Sequence, residues 1–132
     1  MNSNSQFVKN EICWECFYGN DPEIIEYQKK RYDRLCKKFQ THFGKTRVKY
    51  FSSPGRTEIS GNHTDHNHGK VIAGSVNLDS VAVASKNDSN KVIFYSEQFD
   101  DSSEIDLNLS EPVESEKGTT ASLIRGIAKG FK

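Results

Sequence analysis

Apolar residues in the first third of the chain recur at helical spacing. Ile24, Ile25, Tyr32, Leu35, Phe39 and Phe43 fall mostly three, four or seven positions apart. Asp21-Pro22 ahead of them supplies a capping carboxylate and a proline for the first helical position. Gly44 behind them can take the left-handed conformation that stops a helix. Together these predict one helix of about 20 residues. From Val48 the pattern alternates, and "VKYFSSPGR" predicts a short strand that ends where Pro54-Gly55 breaks the ladder, with a polar loop following. "KVIAGSV", "DSVAVASK" and "KVIFYSEQ" are three short runs rich in valine and isoleucine, and "NDSN" supplies a turn that makes a hairpin of the last two. "EIDLNLS" alternates as a further strand would, whereas "DDSSE" and "SEPVESEKG" read as solvated acidic connections. In "TTASLIRGIAKGFK", Leu123, Ile124, Ile127 and Phe131 share one helical face, capped by Thr119 or Thr120. The expected architecture is α+β, a mixed β-sheet flanked by helices.

Composition narrows the function. At 132 residues with 34% apolar content, the chain is at most one domain, and its core is thin for that size. Eighteen basic residues balance eighteen acidic ones, so nothing supplies the phosphate neutralisation that a nucleic-acid partner requires. The start lacks the apolar run of a signal peptide, and no stretch approaches the roughly 20 apolar residues of a membrane span. A cytoplasmic protein without membrane or nucleic-acid partners is expected. Cys13, Cys16 and Cys36 are odd in number and lack a second pair. They read as three reduced, partly buried thiols rather than as a redox or zinc site.

The polar loop "SSPGRTEISGNHTDHNHGK" holds the chemistry. His63, His66 and His68 with Asp65 suggest a metal, but the set lies on one turn without the i, i+4 pairing of helical zinc motifs, and no metal ligand is assigned. A calcium loop would need more oxygens than Asp65 and Asn67 provide. Two readings stay open. The loop is a solvated turn, or it is a sugar site, because a guanidinium, an amide, an imidazole and a carboxylate alternate between Gly55, Gly61 and Gly69. Sugar hydroxyls both donate and accept, and one carboxylate can accept from two neighbouring hydroxyls.

"PGRTEISGNHTDHNHGKVIAGSVNLD" resembles the galactokinase signature, commonly written P-G-R-x-N-L-I-G-E-H-T-D-Y-N-x-G, within the GHMP superfamily of small-molecule kinases. "CFYGND", "NLDSVAVAS", "VIFYSEQF" and "SLIRGIAKG" follow in the order of that family's N-terminal region. The resemblance implies a fold that is part of the GHMP kinase N-terminal domain, and an ATP-dependent phosphorylation of galactose to galactose 1-phosphate. At matching positions, Arg56 is the catalytic arginine beside the reacting anomeric hydroxyl. Asp65 grips the 3- and 4-hydroxyls, His63 is a neighbouring sugar contact, and Thr64 lies between them in the substrate motif. Asn62 stands where the pattern has a glutamate for the 6-hydroxyl, and Glu58 where it has asparagine, which leaves a related sugar as a rival substrate. Ser96 matches a serine near the nucleotide, while Thr120 and Leu123 replace the aromatic residues by the base.

The same resemblance implies ATP and Mg2+ as cofactors, yet residues 1–132 contain no glycine- and serine-rich phosphate loop, no magnesium ligand and no downstream catalytic aspartate. The chain is therefore expected to be a partial N-terminal sugar-binding region, without the C-terminal domain and inactive alone. It is expected to self-associate through Leu123, Ile127 and Phe131. A non-catalytic sugar-binding or sensor module of the same ancestry is the alternative.

Overall fold

In the computed structural model, which describes residues 12–61, 64–99, 101–109 and 111–131, the chain forms two units, Met1–Ser85 and Lys86–Lys132. The described residues of the first open on a short helix, α1 (Trp14–Tyr18), and continue into the long helix α2 (Pro22–Phe43). The ends of α2 are those expected. The Asp21 carboxylate accepts from the N–H groups of Glu23 at 2.9 Å and Ile24 at 3.5 Å. Gly44 takes φ 62° and donates to the Gln40 carbonyl at 2.9 Å. Tyr32 and Cys36 are buried on its inner face, flanked by half-buried Ile25, Arg31, Leu35, Phe39 and Phe43.

Helix α1 is held by aromatic packing, since Trp14 meets Tyr32 edge-on with ring centroids 5.0 Å apart. Here one expectation is corrected. Cys13 and Cys16 are not reduced thiols but a disulfide, with Cα atoms 5.3 Å apart. The helical turn beginning at Trp14 brings residues three apart to the same side, within bridging reach. Cys36 remains a buried thiol.

After α2, strands β1 (Lys49–Ser60) and β2 (Ile72–Ala84) form an antiparallel ribbon running from Lys49 opposite Ala84 to Ser60 opposite Ile72. Two expectations change. Strand β1 does not end at Pro54-Gly55; it passes through them, and the polar loop begins only at Gly61. The runs "KVIAGSV" and "DSVAVASK" are one strand rather than two. Both corrections have one cause, an irregularity in register. Pro54 pairs with Asp79 but Arg56 pairs with Ser75, so Val76, Asn77 and Leu78 bulge opposite Gly55. Proline, with no N–H to give the ladder, is tolerated at such a bulge. The half-buried positions of β2 also change across it, from Gly74 and Val76 to Asp79, Val81 and Val83, a change of parity that resembles a break between two strands.

In the second unit, β3 (Lys91–Ser96) pairs antiparallel with β4 (Asp101–Asp106). The hairpin expected between 79–86 and 91–98 is therefore not the one formed. Asn87 does make a turn, accepting from the Ser89 N–H at 3.1 Å, but the tight turn at Glu97–Phe99 gives β3 its partner from the following residues. That partner begins in a segment read as a solvated connection. Its Ile105 is nonetheless fully buried. Helix α3 (Thr120–Gly130) starts at Thr119, whose hydroxyl accepts from the Ser122 N–H at 3.4 Å, and Leu123, Ile127 and Phe131 are exposed. The class is α+β, as expected, with its strands in two antiparallel pairs.

Candidate functional site

The polar loop closes the far end of the β1–β2 ribbon, and Thr64 pins it. Its hydroxyl donates to the Gly61 carbonyl at 2.7 Å, and its own carbonyl accepts from the N–H groups of Asn67 at 3.1 Å and Gly69 at 2.7 Å. Two glycines are required here by close approach. Gly61 has φ 86°, and a Cβ there would collide with the Lys70 carbonyl. A Cβ on Gly69 would lie 2.5 Å from Cβ of Thr64. Between them Asp65–Asn67 form one 3-10 turn, and His68 follows at φ 59°.

The expected site residues divide accordingly. Arg56 lies on β1 opposite Ser75; its side chain is 76% exposed, with Nη2 3.6 Å from Glu58 Oε1, two residues along the same strand face. Thr64 and Asp65 belong to the loop itself, so the ribbon and its end carry all three. Asn62 and His63 lie outside the described residues. Ser96 is the last residue of β3, opposite Asp101, in the second unit. His66 Nε2 lies 3.3 Å from Asn67 Nδ2. Among the described residues, no group of three or more His, Cys, Asp or Glu side chains is placed to hold a metal ion.

A second cluster, midway along the ribbon beside the bulge, escaped the sequence reading. Asp79, with a side chain 9% exposed, receives hydrogen bonds from Tyr18 of α1 at 2.6 Å, Ser52 of β1 at 2.6 Å and Arg31 of α2 at 2.5 Å. Arg31 also donates to the Asp79 carbonyl at 2.8 Å, and the Tyr18 and Tyr32 hydroxyls lie 2.9 Å apart. Burial opposes ionisation of Asp79, but the bonds from Arg31, Ser52 and Tyr18 outweigh it and hold the carboxyl below its ordinary range. Burial, with the bonds to Asp79 and Tyr32, pushes the Tyr18 phenol above its ordinary value, so it remains a donor. The missed signal was a pair of charged residues, Arg31 and Asp79, on faces that otherwise pack inward.

Residues 37–86, from the last turns of α2 through the whole ribbon and its loop, match the family model described as the galactokinase galactose-binding signature. The chain is 40% identical over 85 residues to a galactokinase of Lactococcus lactis subsp. cremoris, covering 64% of this chain and 21% of that relative. It is 34% identical over 94 residues to a galactokinase of Lactococcus lactis subsp. lactis, covering 70% and 24%. A galactokinase of Actinobacillus pleuropneumoniae is also 34% identical, over 92 residues, covering 70% and 23%. The matched part thus spans about a fifth to a quarter of the length of these relatives. No solved structure matches. The signature falls on the ribbon whose loop Thr64, Gly61 and Gly69 shape, and over this stretch the chain is similar to the N-terminal portion of galactokinases.

Proposed function

We propose that this chain binds galactose through the loop at the end of the β1–β2 ribbon and serves the ATP-dependent phosphorylation of galactose to galactose 1-phosphate. The observation that carries the reading is the coincidence of the galactose-binding signature with that loop. In it, Asp65 accepts from the 3- and 4-hydroxyls, His63 and Asn62 contact the neighbouring hydroxyls, and Thr64 holds the loop in shape. Arg56 lies beside the anomeric hydroxyl and steadies negative charge as the phosphoryl group arrives. The axial 4-hydroxyl separates galactose from glucose, since a carboxylate placed to receive it is left short of a partner when the hydroxyl is equatorial.

ATP and Mg2+ belong to the proposed reaction, but the residues at hand do not make a cradle for them. The 132 residues contain no glycine- and serine-rich turn of the kind that wraps phosphates. Ser96 carries over as one nucleotide contact, and a single hydroxyl is not a phosphate site. The residues of this chain act on the sugar. Asn62, an amide where the family pattern has a carboxylate, favours a second reading in which a related sugar altered at the 6-position is the preferred substrate.

Calorimetric titration of the chain with D-galactose and D-glucose tests the reading. Saturable binding of galactose, weaker binding of glucose, and a loss of more than about tenfold on Asp65→Ala are expected, because two hydroxyls lose a charged acceptor. Unchanged affinity in Asp65→Ala overturns the assignment. A coupled assay with ATP should detect no galactose 1-phosphate from the chain alone.

A further inference from the structure

We propose that Cys13 and Cys16 form a thiol–disulfide exchange site, open to a low-molecular-weight thiol and its disulfide, whose oxidation state sets how firmly α1 is docked on α2. The two residues make a C-x-x-C pair joined by a bridge, and both are exposed. A bridge across so few residues removes little freedom from an unfolded chain and is a weak staple, and exposed bridges are the readily reduced ones. Cys36, the remaining cysteine, is 4% exposed, and its Sγ lies 3.7 Å from Gln40 Nε2. Burial closes it to a reagent that reaches the pair.

The exchange is complete with the pair and its small-molecule partner. A thiolate attacks one sulfur of the bridge, the S–S bond breaks, and the other sulfur leaves with the electron pair and takes up a proton. A second molecule of thiol then opens the mixed disulfide, releasing the second cysteine and a small disulfide. The protein pair gains two electrons and two protons, and two small thiols are oxidised. In the reverse direction the neighbouring cysteine resolves the mixed disulfide and restores the bridge.

The coupling to docking comes from what lies on the same short helix. Trp14, between the two cysteines, meets Tyr32 of α2 edge-on at 5.0 Å. One turn later the Tyr18 hydroxyl donates to the Asp79 carboxylate at 2.6 Å and lies 2.9 Å from the Tyr32 hydroxyl. The two rings stack on one another with centroids 6.2 Å apart, so a single turn presents both to α2. Five residues are too few for a helix to hold by itself, and the bridge closes the turn in which the Cys16 N–H donates to the Cys13 carbonyl at 3.1 Å. Coupling is reciprocal, so docking must favour the bridge by the same factor by which the bridge favours docking.

The test equilibrates the 132-residue chain in anaerobic glutathione buffers of graded thiol-to-disulfide ratio, then maps each cysteine by alkylation and mass spectrometry. The samples are the folded parent, the parent unfolded in urea, and Tyr18→Phe. In the folded parent Cys13 and Cys16 should pass together from bridged to alkylated across the series, while Cys36 resists alkylation until urea is added. A pair that stays bridged, or stays reduced, at every ratio overturns the exchange site. The equilibrium constant for forming the bridge should be about fivefold or more higher in the folded parent than in urea, and Tyr18→Phe, which lacks the bond to Asp79, should lie below the folded parent by about threefold or more. A bridge that merely decorates the surface predicts one constant for the folded parent and a folded Tyr18→Phe, and that result overturns the control of docking. Should Tyr18→Phe fail to fold, the folded and urea-unfolded parent decide, and equal constants overturn it.

Discussion

Each unit is organised around one charged group with little exposure, and the two are wired differently. Asp79 in the first unit draws its donors from residues 27, 48 and 61 positions away, on β1, α2 and α1. Arg125 in the second unit, 8% exposed, bonds the Glu116 carboxylate through Nε at 2.8 Å and Nη2 at 2.7 Å. It also donates to the carbonyls of Asp106 and Leu109, with all partners 9 to 19 positions away. The same rule governs both, since a charge removed from water must be paired and hydrogen-bonded. What differs is the reach. Asp79 joins elements distant in sequence and so braces the ribbon that carries the polar loop. Arg125 fastens the end of β4 and the 3-10 turn at Glu114–Glu116 to the helix that follows.

Acid should separate the two units most strongly. The Asp79 carboxyl is held below its ordinary range, so its contribution to stability is complete above the unfolded-state value, about 4, and is lost as pH falls through the depressed folded-state value. Hydrogen bonds from Arg125 lower Glu116 in the same direction, but Arg125 keeps its two carbonyl partners, which do not titrate. Below about pH 4 the first unit should therefore weaken more. The loss of even one charge-assisted bond costs about 1.5 to 3 kcal/mol. Trp14, the sole tryptophan, lies in the first unit and reports it by fluorescence in urea titrations, while α3 amide signals report the second. Equal acid sensitivity, or none in the first unit, would break the distinction.

These contrasts also mark what the sequence could and could not disclose. Helix α2 was legible to the residue because its signals are local: a capping Asp21, Pro22 and a left-handed Gly44. Helix α1, five residues long, is too short to show a period. Strand β2 read as two because its half-buried positions change parity across residues 76–78, and the start of β4 passed for a connection because residues 101–104 hold no apolar side chain, whereas Ile105 falls in the run read as a strand. In the loop, the glycines and Thr64 could be recognised from turn chemistry and the motif. The support beneath them could not, because Asp79, Arg31 and Tyr18 meet only through pairings distant in sequence, and single charged residues within a helix and a strand read as surface.

Reduction tests the first unit at smaller amplitude. The Cys13–Cys16 bridge closes a very short loop, and a chain-entropy argument gives it about 2 kcal/mol at most. Adding a dithiol reductant should lower the urea midpoint seen by Trp14 by up to that amount and change the emission itself, since Trp14 lies between the two cysteines and packs on Tyr32. The second unit contains no cysteine and serves as the internal control. An unchanged Trp14 midpoint would show that α1 is held by Tyr32 and Asp79 without help from the bridge.

The smallest effect sharpens the comparison at the level of single helices. Asp21 caps α2, a helix of 22 residues, whereas Thr119 caps α3, a helix of 11, with one bond from the Ser122 N–H. Replacing either cap with alanine should cost about 1 kcal/mol, since both leave first-turn N–H groups without a protein partner. The consequence should differ, because α2 buries Tyr32 and Cys36 along its length, while α3 buries Arg125 and leaves Leu123, Ile127 and Phe131 exposed. Most helical stability comes from packing of an apolar face rather than from propensity, so α3 has less in reserve. Thr119→Ala should therefore fray α3 visibly, with faster amide exchange through Leu123 and Ile124, and Asp21→Ala should leave the middle of α2 at its parent rate. If both helices respond alike, the second unit is held as firmly as the first, and the contrast between long-range and local wiring carries no energetic weight.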